Sequence, residues 1–109
     1  MEKCKVVYLI VNVGFSEEAV NIIRELGANG ATIVNARGTG GDHGYFFGMP
    51  IEPEKKLIIS VVTEDVATRI MNVMANRISN STANGICYCV DVEKVAFINK
   101  QVATIKNED

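Results

Sequence analysis

Residues 36–50 combine the side chains and glycines with which a loop could bind an anionic ligand. A predicted strand of alternating apolar and polar residues ends at Arg37. It is followed by Gly38, Thr39, Gly40 and Gly41. Glycine accepts positive φ and lets a ligand approach the main chain, and successive free N–H groups in such a turn form an anion-binding concavity. These glycines permit a ligand contact, but Gly-rich turns are common and the same residues equally suit a plain hairpin turn. Arg37 suits either of two roles, since its planar fork binds a ligand anion or a carboxylate across a subunit contact.

The same loop carries further polar and aromatic side chains. Asp42 and His43 are neighbours in sequence, which does not place them for acid–base work, and no G-x-S-x-G or Cys/His arrangement accompanies them. We therefore expect no catalytic residues and interpret His43 as a solvated or packed side chain. Tyr45, Phe46 and Phe47 favour either a partner-docking tip or burial in a contact between subunits.

Three cysteines, Cys4, Cys87 and Cys89, are interpreted as small buried hydrophobes. An odd count without a secretion signal indicates a reducing compartment, so we expect a cytoplasmic protein. A structural zinc site usually needs four ligands at characteristic spacings, and the chain has one His and no C-x-x-C. The sequence therefore predicts no metal site.

Length and composition predict one soluble domain spanning residues 1–109. Hydrophobic residues make up 48% of the chain and charged residues 22%, which is ordinary for a globular protein. The formal net charge of −2, without a lysine cluster, argues against nucleic acid as a partner. No apolar run is long enough for a transmembrane helix, so we expect no direct membrane insertion.

The elements that position the loop follow from periodicity. Apolar, β-branched stretches predict strands over 4–13, 31–37, 56–62 and 86–92. Amphipathic spacing predicts helices over 16–27, capped by Ser16 and ended by Gly27, and over 64–79, capped by Thr63. The tail 93–109 is expected to add a turn of helix and an edge strand.

The order β-α-β-β-α-β predicts an α+β, ferredoxin-like fold with a four-stranded antiparallel sheet and both helices on one face. The strands over 4–13 and 56–62 are apolar on both sides, so the face without helices must also be covered. The simplest cover is another copy of the same chain.

Two short motifs resemble PII signal-transduction proteins. Ala-Arg-Gly-Thr-Gly at 36–40 is similar to the junction between the second strand and the T-loop of that family. Asn84-Gly85 entering 86–92, followed by Val92-Glu93-Lys94-Val95, looks like its B-loop and last strand. Chain length and element order match as well, so the resemblance covers nearly the whole chain.

The resemblance implies a homotrimer that binds an adenine nucleotide in clefts between the T-loop base of one subunit and the B-loop of its neighbour. Loop 41–55 corresponds to the T-loop, 80–86 to the B-loop and 93–109 to the C-terminal tail. Carried over by position, the ligand-binding residues are Arg37, Gly38, Thr39, Gly40, Gly41, Val62, Thr63, Thr82, Ala83, Asn84, Gly85 and Ile86.

The chain departs from the family pattern where phosphates are bound. Ile86 stands at the place of a B-loop lysine, and Phe97 and Asn99 lie near the places of C-terminal arginines. A triphosphate carries about three to four negative charges and needs charged or metal partners. ADP, AMP or another small anion is therefore favoured over ATP as the ligand.

The resulting hypothesis is a regulatory protein from a divergent branch of the PII-like proteins with a short T-loop, rather than a standard nitrogen regulator, with nitrogen metabolism as one candidate setting. Its ligand would order loop 41–55, which would dock on an enzyme or a membrane transporter through Tyr45, Phe46 and Phe47. One alternative is a ligand-free oligomeric adaptor that binds a protein through the aromatic loop. A less favoured alternative is a small ferredoxin-fold enzyme using Arg37, Asp42 and His43.

Overall fold

The computed structural model describes residues 3–38, 45–46, 49–50, 54–79, 85–98 and 103–107. Eight strands and two helices lie in these segments. In chain order they are β1 (Cys4–Asn12), α1 (Val13–Glu25), β2 (Thr32–Arg37), β3 (Tyr45–Phe46), β4 (Met49–Pro50), β5 (Glu54–Thr63), α2 (Glu64–Ser79), β6 (Gly85–Asp91), β7 (Lys94–Ile98) and β8 (Ala103–Asn107).

The central sheet has four antiparallel strands in the order β2-β5-β1-β6. This is the sheet of a ferredoxin-like fold, so the predicted α+β class and four-stranded antiparallel sheet are confirmed. The register places Val7 opposite both Ser60 and Cys89, and Leu9 opposite both Ile58 and Cys87. Because side chains alternate along a strand, these residues share the face that the helices cover.

The core lies between that face and the two helices. Val7, Leu9 and Val11 of β1 are at most 1% exposed, since β1 is flanked by strands on both sides and capped by helices. The helices contribute apolar stripes at helical spacing, of which Ile23 and Ile70 are the most buried members among the isoleucines. Burial of this apolar surface stabilises the fold.

Helix α1 begins one turn earlier than the sequence predicted. Ser16 is not its cap: the Ser16 hydroxyl donates to the Val13 carbonyl oxygen, 2.8 Å away, inside the first turn. Asn12 holds the N-cap position without a capping side-chain bond, because its amide oxygen accepts a hydrogen bond from Lys55. Strand β1 therefore passes directly into α1.

The end of α1 and the start of α2 agree with the positions that the sequence predicted. Gly27 has φ of +120° directly after α1, so the predicted glycine stop is confirmed. The Thr63 Oγ1 atom accepts a hydrogen bond from the Val66 amide at 3.5 Å, as expected of a cap for α2. Glu64 and Asp65 occupy the first turn of α2, where negative charge is favourable.

The opposite face of the sheet is apolar and has no helix over it in the described part of the chain. Val6, Tyr8 and Ile10 of β1 form its middle, and Ile86, Tyr88 and Val90 of β6 lie directly opposite them. The Tyr8 and Tyr88 rings stack with centroids 5.1 Å apart. Side chains of β6 on this face are 40–54% exposed, as the two-sided apolar pattern predicted.

Two small hairpins complete the described structure. Strands β7 and β8 pair antiparallel in the tail, apart from the central sheet. The predicted turn of helix in the tail is wrong for its described residues, whose alternating Val95, Phe97 and their neighbours pair as strand instead. Strands β3 and β4 form a short hairpin within the loop that follows β2.

Candidate functional site

Three cationic residues line one surface cavity where β2 and β5 flank the glycine-containing loop, with Lys55 projecting from the face of the sheet opposite to that of Arg37 and Lys56. The β2–β5 register places Arg37 opposite Glu54, Ala36 opposite Lys55 and Asn35 opposite Lys56. Lys56 also donates a hydrogen bond from Nζ to the Oδ1 atom of Asn35. The predicted site residue Arg37 is thus joined by two lysines, although the whole chain carries a net charge of −2.

Lys55 is oriented by the joint between β1 and α1. Its Nζ donates to Asn12 Oδ1 at 2.6 Å, which holds the side chain across the end of the sheet. Gly38 makes room for it, because a Cβ atom at that position would lie 2.8 Å from Lys55 Cε. Gly38 therefore permits a close approach between the main chain at the loop base and this cation.

A surface cavity of about 520 Å³ lies at the same place. Its wall comprises Val13, Asn35, Ala36, Arg37, Glu54, Lys55 and Lys56. Three cations and one carboxylate leave an excess of positive charge, and guanidinium and ammonium groups donate charge-assisted hydrogen bonds to phosphate or carboxylate oxygens. This arrangement can bind an anion next to the loop. We call Arg37, Lys55 and Lys56 the loop-base cations.

Val62 and Thr63 lie at the other end of β5. They line a second cavity of about 540 Å³, which also contacts Gly27, Gly30 and Phe97. Val62 lies seven positions after Lys55, or about 23 Å along the strand, whereas the nearest wall residues of the two cavities, Lys56 and Ile59, are three positions or about 10 Å apart. Within one chain the predicted residues Arg37 and Gly38 are together, and Val62 and Thr63 are not with them.

The second cavity has a different chemical character. Apolar side chains such as Ile59 and Val66 alternate there with the main chain of the segment after α1. The buried Ser60 hydroxyl donates to the Gly30 carbonyl oxygen at 2.6 Å, which fixes that segment against β5. An apolar wall with main-chain polar groups at its edge suits a flat, weakly polar ring system.

Gly85 and Ile86 begin β6, at the same end of the sheet as the loop-base cations. Three strand spacings separate β6 from β2, or about 14 Å, so these residues do not reach Arg37 within one chain. Gly85 also has a packing role, because a Cβ atom there would lie 2.4 Å from the Ile10 carbonyl oxygen. The Ile86 side chain is 54% exposed on the apolar face.

The remaining predicted residues are only partly described. Tyr45 and Phe46 form β3, which pairs with Pro50 and Met49. Outside the described residues lie Thr39, Gly40, Gly41, Asp42, His43, Phe47, Thr82, Ala83 and Asn84. Their predicted roles stay predictions.

The sequence interpretation missed Lys55 and Lys56 as candidate ligand contacts. A signal was present: a loop that joins neighbouring antiparallel strands brings the residues before it opposite those after it. The run Glu54-Lys55-Lys56 follows the loop just as Asn35-Ala36-Arg37 precedes it. Reading both loop ends together would have found the cation cluster.

None of the helices in the described segments is long and apolar enough to cross a membrane. The same segments contain no group of three or more His, Cys, Asp or Glu side chains arranged to hold a metal ion.

Comparison with known proteins identifies related sequences and folds. The sequence model of the family described as nitrogen regulatory protein P-II matches residues 4–102. A PII-like signalling protein from Thermus thermophilus is 26% identical in a solved structure, with a TM-score of 0.61, over 84% of this chain and 88% of that one. No curated protein sequence matches this chain.

Two further solved structures share the fold at lower identity. CPII, a nitrogen regulatory PII-like protein from Thiomonas intermedia solved bound to ADP, AMP and bicarbonate, is 21% identical, with a TM-score of 0.66 over 83% of this chain and 90% of that one. GlnK of B. subtilis is 16% identical, with a TM-score of 0.66 over 96% of both chains.

Proposed function

Because this chain belongs to the nitrogen regulatory protein P-II family, whose model matches residues 4–102, we propose that it is a homotrimeric regulator that binds ADP, AMP or a small anion at the loop base. Proteins of this family are regulatory. The observation that supports the ligand is the cluster of Arg37, Lys55 and Lys56 around a cavity at the start of the loop.

The apolar sheet face supports the trimer. Val6, Tyr8 and Ile10 form rows with the residues opposite them on β5 and β6, and the β6 members of these rows are more than a third exposed in the single chain. A contiguous apolar face of this kind marks a protein–protein contact. Two neighbouring copies covering it would place the loop base of one subunit near a surface of the next.

The separation of the two cavities also supports a site between subunits. The loop-base cations suit a phosphate, whereas the cavity that contains Val62 suits an adenine ring, yet they lie at opposite ends of β5. Within one chain, a nucleotide would have to span about 23 Å along β5 to contact both Lys55 and Val62. In a trimer, the loop base of one subunit and the Val62 end of its neighbour would hold the two parts of the same nucleotide.

The number of cations favours the shorter nucleotides. Three loop-base cations share their cavity with the Glu54 carboxylate. A triphosphate brings about three to four negative charges, which exceeds what these groups compensate. CPII from Thiomonas intermedia was solved with ADP, AMP and bicarbonate, a set of ligands of the size and charge that this cavity suits.

Ligand binding would change the loop that follows the site. Arg37 ends β2 and Glu54 begins β5, so the intervening residues emerge directly from the cation cluster. Ordering a residue costs about 1–2 kcal/mol of backbone entropy, which contacts to a bound anion can offset. The loop state would then report the nucleotide to an enzyme or membrane transporter, in nitrogen metabolism.

Titration calorimetry with ADP, AMP, ATP and bicarbonate tests the proposal. We expect binding of ADP and AMP, weaker binding of ATP, and loss of binding in Lys55→Met, which keeps the aliphatic stem and removes the charge. Arg24→Met is the matched control, because Arg24 is exposed eleven residues into α1, about 16 Å along the helix from Val13. Absence of heat with all four ligands, in a protein that is trimeric by light scattering, would favour the ligand-free adaptor.

A further inference from the structure

Three sulfur-containing side chains lie together between α2 and β6, away from the loop-base cations. Cys87 and Cys89 are two residues apart on β6, opposite the buried Leu9 and Val7 of β1. Both thiols therefore point to the helix side of the sheet. Met71 of α2 faces them from the helix.

Two of these sulfurs are in contact. Cys87 Sγ lies 3.4 Å from Met71 Sδ, and both side chains are partly buried. Cys89 and Met71 also line one cavity of about 320 Å³, whose rim includes the exposed residues Glu64 and Asn72. All three cysteines of the chain are free, so neither thiol on β6 is committed to a disulfide. A small ion can thus reach Cys89 and Met71 from this cavity, and Cys87, which does not line it, contacts Met71.

Packing alone would not require three sulfur-containing side chains here, since aliphatic side chains would fill the same space. Two thiols and one thioether are soft ligands, the kind that selects Cu(I). Zinc in structural sites takes four nitrogen or sulfur ligands, and calcium and magnesium take oxygen ligands. A set of three sulfur donors therefore suits none of these three metals. We propose that Cys87, Cys89 and Met71 bind one soft monovalent metal ion, Cu(I) or Ag(I), in each chain.

The binding step involves no electron transfer. The ion displaces the thiol protons of Cys87 and Cys89 to solvent and forms a bond to each thiolate sulfur, while Met71 donates a lone pair from Sδ. The bound ion and two thiolates together carry one negative charge. Lys5 lines the same cavity, where its ammonium group pairs with Asp91 and Glu64 and also interacts electrostatically with Cys89, so it would compensate part of that charge.

Partial burial influences the protonation of the Cys87 thiol. Burial, followed by the charge of the neighbouring Cys89, raises the pKa of the Cys87 thiol to about 11.

The test is anaerobic titration of the full chain with Cu(I) against bathocuproine disulfonate, with Ag(I) as a second probe. We expect one Cu(I) per chain and a thiolate-to-copper charge-transfer band in the ultraviolet. Cys87→Ser and Cys89→Ser should abolish both. Met71→Leu keeps the side-chain volume and both thiols, and should weaken the affinity by about tenfold or more.

Two matched variants separate this site from other sulfurs. Cys4→Ala removes the remaining cysteine, which lines the cavity of Val62, and Met74→Leu alters a buried methionine one turn along α2. Both should retain wild-type Cu(I) affinity. Cu(I) binding that survives in folded Cys87→Ser and Cys89→Ser, or a Met71→Leu protein that binds as tightly as wild type, would overturn the proposal. Nucleotide binding does not enter this test.

Discussion

Lys55 donates a hydrogen bond from Nζ to Asn12 Oδ1 at 2.6 Å, so the residue that precedes α1 orients a cation at the base of the loop. The same bond explains why Asn12 occupies the N-cap position without capping the helix through its side chain. Strand β5 and the joint between β1 and α1 are thereby tied together beside the candidate anion site.

Asn12→Ala should reduce both stability and ligand affinity. A hydrogen bond to a charged group contributes about 1.5–3 kcal/mol, and its loss would leave the part-buried Lys55 without an orienting acceptor. We expect urea denaturation to show a loss in that range and calorimetry to show about fivefold weaker ADP binding, equivalent to ~1 kcal/mol. Asn35→Ala, which removes the exposed partner of Lys56, should cost less than about 0.5 kcal/mol. Equal losses of stability in the two variants would contradict this role for Asn12.

Gly38→Ala and Gly85→Ala should separate a ligand contact from a packing contact. At Gly38 the new methyl group meets the flexible Lys55 side chain, which can move aside, so we expect weaker ADP binding with little change in stability. At Gly85 it meets the Ile10 carbonyl oxygen at 2.4 Å, so the two strands must separate, at a cost of about 1–3 kcal/mol or more. Thermal and urea unfolding measure the second effect, and calorimetry measures the first. A Gly38→Ala protein that is as unstable as the Gly85→Ala protein would show that the Lys55 side chain cannot move aside to accommodate the new methyl group.

Tyr88→Asp should dissociate the proposed trimer. The substitution places a carboxylate at the centre of the apolar face, where Tyr88 now stacks on Tyr8, and burying an unpaired charge is strongly unfavourable. Sedimentation velocity should show monomers for this variant and trimers for Asn21→Asp, which adds the same charge on the exposed side of α1. Circular dichroism should show folded protein in both cases. A trimeric Tyr88→Asp protein would place the subunit contact elsewhere.

The core and the tail should respond differently to truncation. Ile70 of α2 is fully buried against the sheet, so Ile70→Ala should destabilise the protein by about 2–5 kcal/mol. Ile98 at the end of β7 is 82% exposed in the single chain, so Ile98→Ala should change the stability of a dissociated chain by less than about 0.5 kcal/mol. Urea unfolding in the Tyr88→Asp background measures both. A larger loss at Ile98 in the trimer than in that background would locate the tail in a subunit contact.

The sequence predicted most of the fold because strong local patterns determined it. Thr63, with Glu64 and Asp65 behind it, marked the start of α2, and apolar runs marked the central strands. The start of α1 was missed because serine is a common N-cap residue. The Ser16 hydroxyl instead donates to the Val13 carbonyl oxygen within the first turn. Local composition cannot distinguish these two uses of a serine hydroxyl.

The site was harder to predict than the fold because its parts are distant in sequence. Arg37 and Gly38 stood out through the glycines beside them, but Lys55 joins them only through strand pairing across the loop. The contact between Met71 and Cys87 depends on how α2 packs over β6, sixteen residues apart along the chain. Chemistry assembled by such packing leaves no local signature in the residue order.

The direct passage from β1 into α1 fixes the rotational phase of the helix. Asn12 ends the strand and Val13 begins the helix, so no intervening residue can absorb a change in length. One inserted residue would turn α1 by about 100° about its axis and carry Phe15, Ala19 and Ile23 away from the sheet. An insertion or deletion at this joint should therefore destabilise the core, because it would rotate the apolar face of α1 relative to the sheet.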